Sequence, residues 1–136
     1  MRDIRFRAWD NTHKKWLSDR EDVYICADGS VYIEVIEAYE MYLKKLNNVT
    51  IVQSIGLKDR NGKPIYEGDI FRYTKHAGYL LPEFTASVIW MPDHACFGYS
   101  RQGMDVSFTE HDELVKDVLS YCEVVGNIFE HPRWST

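Results

Sequence analysis

Short runs of β-branched and aromatic residues, broken every few positions by turn-forming residues, constrain this chain most. Val23-Tyr24-Ile25 and Val31-Tyr32-Ile33 flank Ala27-Asp28-Gly29-Ser30. Such runs suit the pleated, half-buried surface of a strand, and Asp-Gly between them supplies hairpin turn chemistry. Residues 84–91 alternate, with Phe84, Ala86, Val88 and Trp90 on one side. Residues 95–99 and 104–108 read as two more strands around Ser100-Arg101-Gln102-Gly103. Residues 3–9 alternate as well: Ile4, Phe6 and Ala8 face a core, and Asp3, Arg5, Arg7 and Trp9 face away from it. Asp10-Asn11-Thr12 turns the chain into a short return strand over residues 14–17. Residues 49–55, 70–73 and 122–130 bring the total to about nine or ten short strands.

Two segments read differently. Ile36, Tyr39, Leu43 and Leu46 recur at three- and four-residue spacing with charges between them, which predicts a helix over residues 35–46 stopped by Asn47-Asn48. Leu114, Val115 and Leu119 predict a second helix, capped by Thr109 or Asp112 and running from Glu110 to about Ser120. The expected fold class is therefore mainly β (α+β): a small, partly open β-barrel-like domain with two short helices at its margins.

Residues 56–69 are the most distinctive stretch. Asp59-Arg60-Asn61-Gly62 fits a type I turn, in which Asp bonds back to the backbone and Gly takes a positive φ. Pro64 places the following arm at a sheet edge. Glu67-Gly68-Asp69 is a second tight bend before a strand. Residues 74–83 read as a loop with an apolar centre.

Composition narrows the function classes. The chain has 136 residues, one domain's worth, and its 45% hydrophobic content supports a packed core rather than disorder. No apolar run reaches the roughly 18–20 residues of a membrane-spanning helix, so no membrane association is expected. The net charge of −5 argues against a protein that coats nucleic acid. The charge is polarised: Arg2, Arg5, Arg7, Lys14, Lys15 and Arg20 make the N-terminus basic, whereas residues 105–125 carry six acidic side chains against Lys116. That polarity serves solubility, intramolecular pairing or head-to-tail association. Cys26, Cys96 and Cys122 are odd in number and far apart, which suits reduced thiols in the cytoplasm.

Chemical motifs are absent. There is no glycine-rich phosphate loop, no nucleophile elbow and no HExxH zinc pattern. His94 and Cys96 lie close together without a second ligand pair. Glu67 with Asp69, and Asp112 with Glu113, are carboxylate pairs whose structural reading is stronger: turn bonding for the first and a helix N-terminus for the second. A metal-assisted hydrolase around Glu67, Asp69 and a histidine is the enzymatic alternative. Arg5, Arg7, Trp9, Lys15 and Trp16 form a basic–aromatic set that could hold phosphates and stack a base. The competing reading packs Trp9 under a loop and pairs the arginines across strands.

Three blocks resemble the YopX-like family of phage and prophage proteins: Ile4 to Asp10 (IRFRAWD) with Lys15-Trp16, Ile55 to Ile70 (IGLKDRNGKPIYEGDI), and Val124 to Pro132 (VVGNIFEHP). The middle block is the most specific, and the blocks span residues 1–136 as a single domain. The resemblance implies a β-rich fold, assembly into homo-oligomers, a cytoplasmic location in a bacterial host cell, and no enzymatic activity or cofactor to carry over. The signature residues Gly56, Asp59, Asn61, Gly62, Gly68 and Asp69 read as turn architecture, with Tyr66 anchoring the bend or presenting a ring to a partner. The expected function is thus a non-catalytic, oligomerising binding module with a phage or host protein partner. A nucleic-acid-binding module built on Arg5, Arg7, Trp9, Lys15 and Trp16 is the alternative.

Overall fold

The computed structural model describes residues 4–17, 22–74, 82–108 and 121–135. Among these residues the chain is mainly β. Its twelve strands are β1 (Phe6–Asp10), β2 (Lys15–Trp16), β3 (Val23–Ile25), β4 (Val31–Glu37), β5 (Glu40–Leu46), β6 (Val49–Lys58), β7 (Pro64–Tyr66), β8 (Asp69–Tyr73), β9 (Phe84–Met91), β10 (Cys96–Arg101), β11 (Met104–Ser107) and β12 (Cys122–Asn127). A 3₁₀ turn at Pro132–Ser135 is the only helical element among the described residues. The chain divides into two compact units, residues 6–52 and residues 1–5 with 53–136.

In the unit of residues 6–52, β1 lies between β2 and the start of β6, and β3, β4 and β5 form an antiparallel sheet of their own. The core gathers Ala8, Leu17 and Val31, with Val23, Leu46, Val49 and Ile51 packed against them. The β3–β4 hairpin turns where Asp28-Gly29 predicts: the Ser30 N–H donates to the Asp28 carboxylate and Gly29 takes a φ of +87°.

The helix expected over residues 35–46 is not present. This segment is the β4–β5 hairpin, which pairs Glu37 with Glu40, Val35 with Tyr42 and Val31 with Leu46. Ala38 and Tyr39, both at positive φ, form its two-residue loop, the backbone of a type I′ turn. The run Val31, Ile33, Val35, Ile36 carries β-branched side chains that lose χ1 freedom in a helix. Pairing as strands puts Val31 and Leu46 together in the core. The second expected helix, residues 110–120, lies outside the described residues.

In the larger unit, five antiparallel strands run in the order β11-β10-β9-β8-β12 and curl into a half-barrel. Ile65, Phe71, Tyr73, Phe84, Ala86, Val88, Phe108 and Cys122 form its core. The Phe84 ring stacks on Tyr73 and Tyr99, and Phe71 meets Phe84 edge-on. The second half of β6 pairs with β7, an edge strand that opens with Pro64. The β9 alternation holds for Phe84, Ala86 and Val88, which are buried, but ends at Trp90, which is exposed while Met91 turns inward.

Candidate functional site

Two neighbourhoods hold the residues singled out from the sequence. The first is the pair of turns before and after β7. Asp59 is buried although charged, because both of its oxygens are occupied. Its Oδ1 accepts the N–H groups of Asn61 and Lys63 at 2.9 Å each, and its Oδ2 accepts the N–H of Val124 at 3.0 Å. The Gly62 N–H closes the turn onto the Asp59 carbonyl at 3.0 Å. Burial alone would raise the Asp59 pKa. The three backbone donors and the nearby Lys63 outweigh it and hold the carboxyl below its usual range.

Arg60 fastens the same turn to β12. Its N–H donates to the Cys122 carbonyl at 3.0 Å, and its guanidinium pairs with Glu123 at 3.0 Å. Cys122 is fully buried, and burial together with the Asp59 charge pushes its thiol up to about 12. A thiol so far from ionisation is not a nucleophile at neutral pH.

The second bend repeats the logic. The Asp69 carboxylate is buried and accepts the Tyr66 N–H at 2.9 Å. Gly68 has a φ of +87°, and a Cβ there would lie 2.6 Å from the Phe129 ring. Its N–H reaches the Val88 carbonyl at 2.9 Å and its carbonyl takes the Ile128 N–H at 2.8 Å. Asn127, opposite Asp69 in the ladder, accepts the N–H groups of Phe129 and Glu130 through Oδ1. Gly56 and Gly62 also adopt positive φ, and Tyr66 is half-buried in β7. Glu67, half-buried beside these groups, has its pKa raised by burial.

The middle and last signature blocks therefore converge, and what meets there is backbone donors on carboxylate oxygens. No group of three or more His, Cys, Asp or Glu that could hold a metal ion occurs among the described residues. The Asn127 cap was missed in the sequence. Its signal was Asn directly before a turn, a residue type that bonds to the backbone two and three positions on.

The basic–aromatic set divides. Trp9, expected to face away from the core, is only 4% exposed; it pairs with Trp16 across β1 and β2, ring centroids 5.0 Å apart. The Arg7 guanidinium lies over the Trp16 ring at 4.2 Å. Arg5 is exposed and in the larger unit, where its backbone pairs with Ser54, and Lys15 is exposed on β2. Ile4 and Phe6, expected in the core, are exposed. Three consecutive residues, Ala8, Trp9 and Asp10, are buried instead, so both faces of β1 are covered at its end. Asp10 is accommodated by the Thr12 and His13 N–H groups and by His13 Nδ1 at 2.7 Å. These bonds hold its carboxyl low against the upward push of burial.

A cleft of about 540 Å³ in the larger unit runs along β9 and the β10–β11 turn. Arg101, Arg133 and Glu83 are its charged walls, and among the described residues its lining has no histidine or cysteine.

A further neighbourhood, the β3–β4–β5 sheet, holds none of the residues singled out from the sequence. Tyr24, Ile25, Ile36, Tyr39, Met41, Tyr42 and Leu43 are all exposed there, Ile36 at 74% and Tyr39 completely. Tyr39 holds a φ of +71° at the hairpin tip, a conformation that L side chains rarely adopt.

The sequence matches the family described as YopX protein over residues 5–134. The chain belongs to the YopX family. Among solved structures, protein EF1440 from Enterococcus faecalis is similar at 24% identity, with a TM-score of 0.60 and 97% of each chain covered. Protein YopX from Bacillus subtilis is similar at 18% identity, with a TM-score of 0.55 and 98% of each chain covered. At these identities the likeness is one of fold. The comparison with curated proteins finds no match. In this YopX-family chain the family's middle and closing blocks are thus the ones locked together by Asp59, Gly68 and Asn127.

Proposed function

We propose that the protein is a non-catalytic, self-associating binding module of a phage or prophage, acting in the bacterial cytoplasm. The observation that carries this reading is the apolar exposure of the β3–β4–β5 sheet: Tyr24, Ile36, Met41 and Leu43 on the face away from the core, Ile25 and Tyr42 on the other, and Tyr39 at the hairpin tip. Scattered apolar residues on a surface need no explanation, but seven large ones on one small sheet mark an interaction surface. A tyrosine standing in solvent in a strained turn conformation supports the same reading, since strain is retained where it serves a contact. The signature carboxylates Asp59 and Asp69 are engaged by backbone donors, which supports a structural role for them.

Light scattering across a concentration series tests the proposal. A defined oligomer is expected. A clean monomer at high concentration and low salt contradicts it. The nucleic-acid alternative uses Arg5, Arg7, Lys15 and Trp16, while the burial of Trp9 weakens it. It requires DNA binding that weakens steeply with salt and is lost in the Arg5→Ala, Arg7→Ala double variant.

A further inference from the structure

We infer that β5 is the self-association edge, pairing antiparallel with β5 of a second copy in a register centred on Tyr42; this rests on the self-association proposed above. β5 closes one side of the three-stranded sheet, and among the described residues only β4 pairs with it. It is seven residues long, against three for the opposite edge strand β3. Glu40 to Lys45 are all exposed. An open edge of that length is a template for another strand.

The hairpin fixes which backbone groups are free. A two-residue loop makes Glu37 and Glu40 a hydrogen-bonded pair, so Glu40, Tyr42, Lys44 and Leu46 direct their N–H and C=O groups to β4. Met41, Leu43 and Lys45 direct theirs outward. Two copies related by a two-fold axis perpendicular to the sheet keep their faces aligned, so residues of like parity stand opposite each other.

Side-chain chemistry then selects the register. Centred on Tyr42, Met41 exchanges hydrogen bonds with Leu43 of the second copy. Tyr42 faces Tyr42, and Glu40 faces Lys44 twice. The last two fall at non-hydrogen-bonded positions, where side chains approach most closely. Centred on Leu43, Glu40 would face Leu46 and the charge pairs disappear. Centred on Lys44, like charges would meet. Lysines on an edge normally deter pairing; here Glu40, four positions from Lys44, makes the edge self-complementary.

Charge reversal tests this in the full chain by sedimentation velocity. Glu40→Lys and Lys44→Glu should each weaken self-association about tenfold, as two cross-strand pairs change from opposite to like charge. An equimolar mixture of the two variants should associate like the wild type, because each supplies the charge that the other needs. Amide hydrogen exchange on the unmodified protein gives a second readout, with Met41 and Leu43 becoming protected at high concentration while Tyr42 and Lys44 are protected throughout. A monomeric wild type overturns the self-association itself. An associating wild type with unaffected variants and unprotected Met41 and Leu43 amides overturns only the β5 contact. Weakened variants that do not recover on mixing overturn the register.

Discussion

In the turn at residues 59–63 both oxygens of a buried carboxylate take backbone donors, whereas at the tip of the β4–β5 hairpin a tyrosine at positive φ stands fully in solvent. The first region places acidic side chains and glycine where the backbone requires them. The second places Tyr39 where glycine would fit better. Residues that satisfy local geometry have their physical reason inside the fold. Residues that oppose it, and bury nothing there, have no such reason inside the fold, and the self-association proposed above would supply one.

The largest way to break this comparison is Asp59→Ala. Three N–H groups lose their acceptor, one of them from β12, so a loss of about 3–4 kcal/mol in urea unfolding is expected. The same residue sets a pH dependence. Its folded pKa is depressed, so its contribution is present above the unfolded value of about 3.9 and is lost as pH falls through the lower folded value. Acid should therefore erode wild-type stability more steeply than that of Asp59→Asn. Glu67 has the opposite sign: its raised pKa costs stability as pH climbs through its titration, so Glu67→Gln should gain stability at neutral pH.

Gly68→Ala comes next. It combines a φ of +87° with a Cβ 2.6 Å from Phe129, and a loss of about 2–3 kcal/mol is expected by the same measurement. Tyr39→Gly is its mirror image. It relieves positive φ at an exposed site and should raise stability by about 1 kcal/mol. A destabilised Tyr39→Gly would mean that the tip has a structural purpose. Thiol labelling sharpens the comparison at the smallest scale: exposed Cys26 should react in the native protein, while buried Cys122, with its thiol pushed up to about 12, should react only on unfolding.

The parts of the fold legible in the sequence are those whose signals are local. Asp28-Gly29 and Asp59 through Gly62 announce turns by residue type alone, and the hairpin and the closed turn are present at those positions. The β4–β5 hairpin was illegible because Ala38-Tyr39 is no turn signal, and Ile36, Tyr39, Leu43 and Leu46 match a helical period by coincidence with strand alternation. Trp9 was misplaced because alternation assumes one covered face, and β1 is covered on both at its end. The candidate surface stayed hidden for a related reason: Ile36, Tyr39, Met41, Tyr42 and Leu43 lie in the segment read as an amphipathic helix, whose apolar stripe reads as core-facing until its exposure is known. The convergence of Asp59 on Val124 is set by the pairing of β8 with β12, which the spacing along the chain does not encode.

One sedimentation series separates the two regions, comparing wild type, Asp59→Asn under conditions where it remains folded, and Glu40→Lys. Asp59→Asn should unfold earlier yet associate at the wild-type midpoint, whereas Glu40→Lys should keep its stability and associate about tenfold more weakly. An Asp59→Asn protein that is folded but no longer associates, beside an unimpaired Glu40→Lys, would contradict that separation.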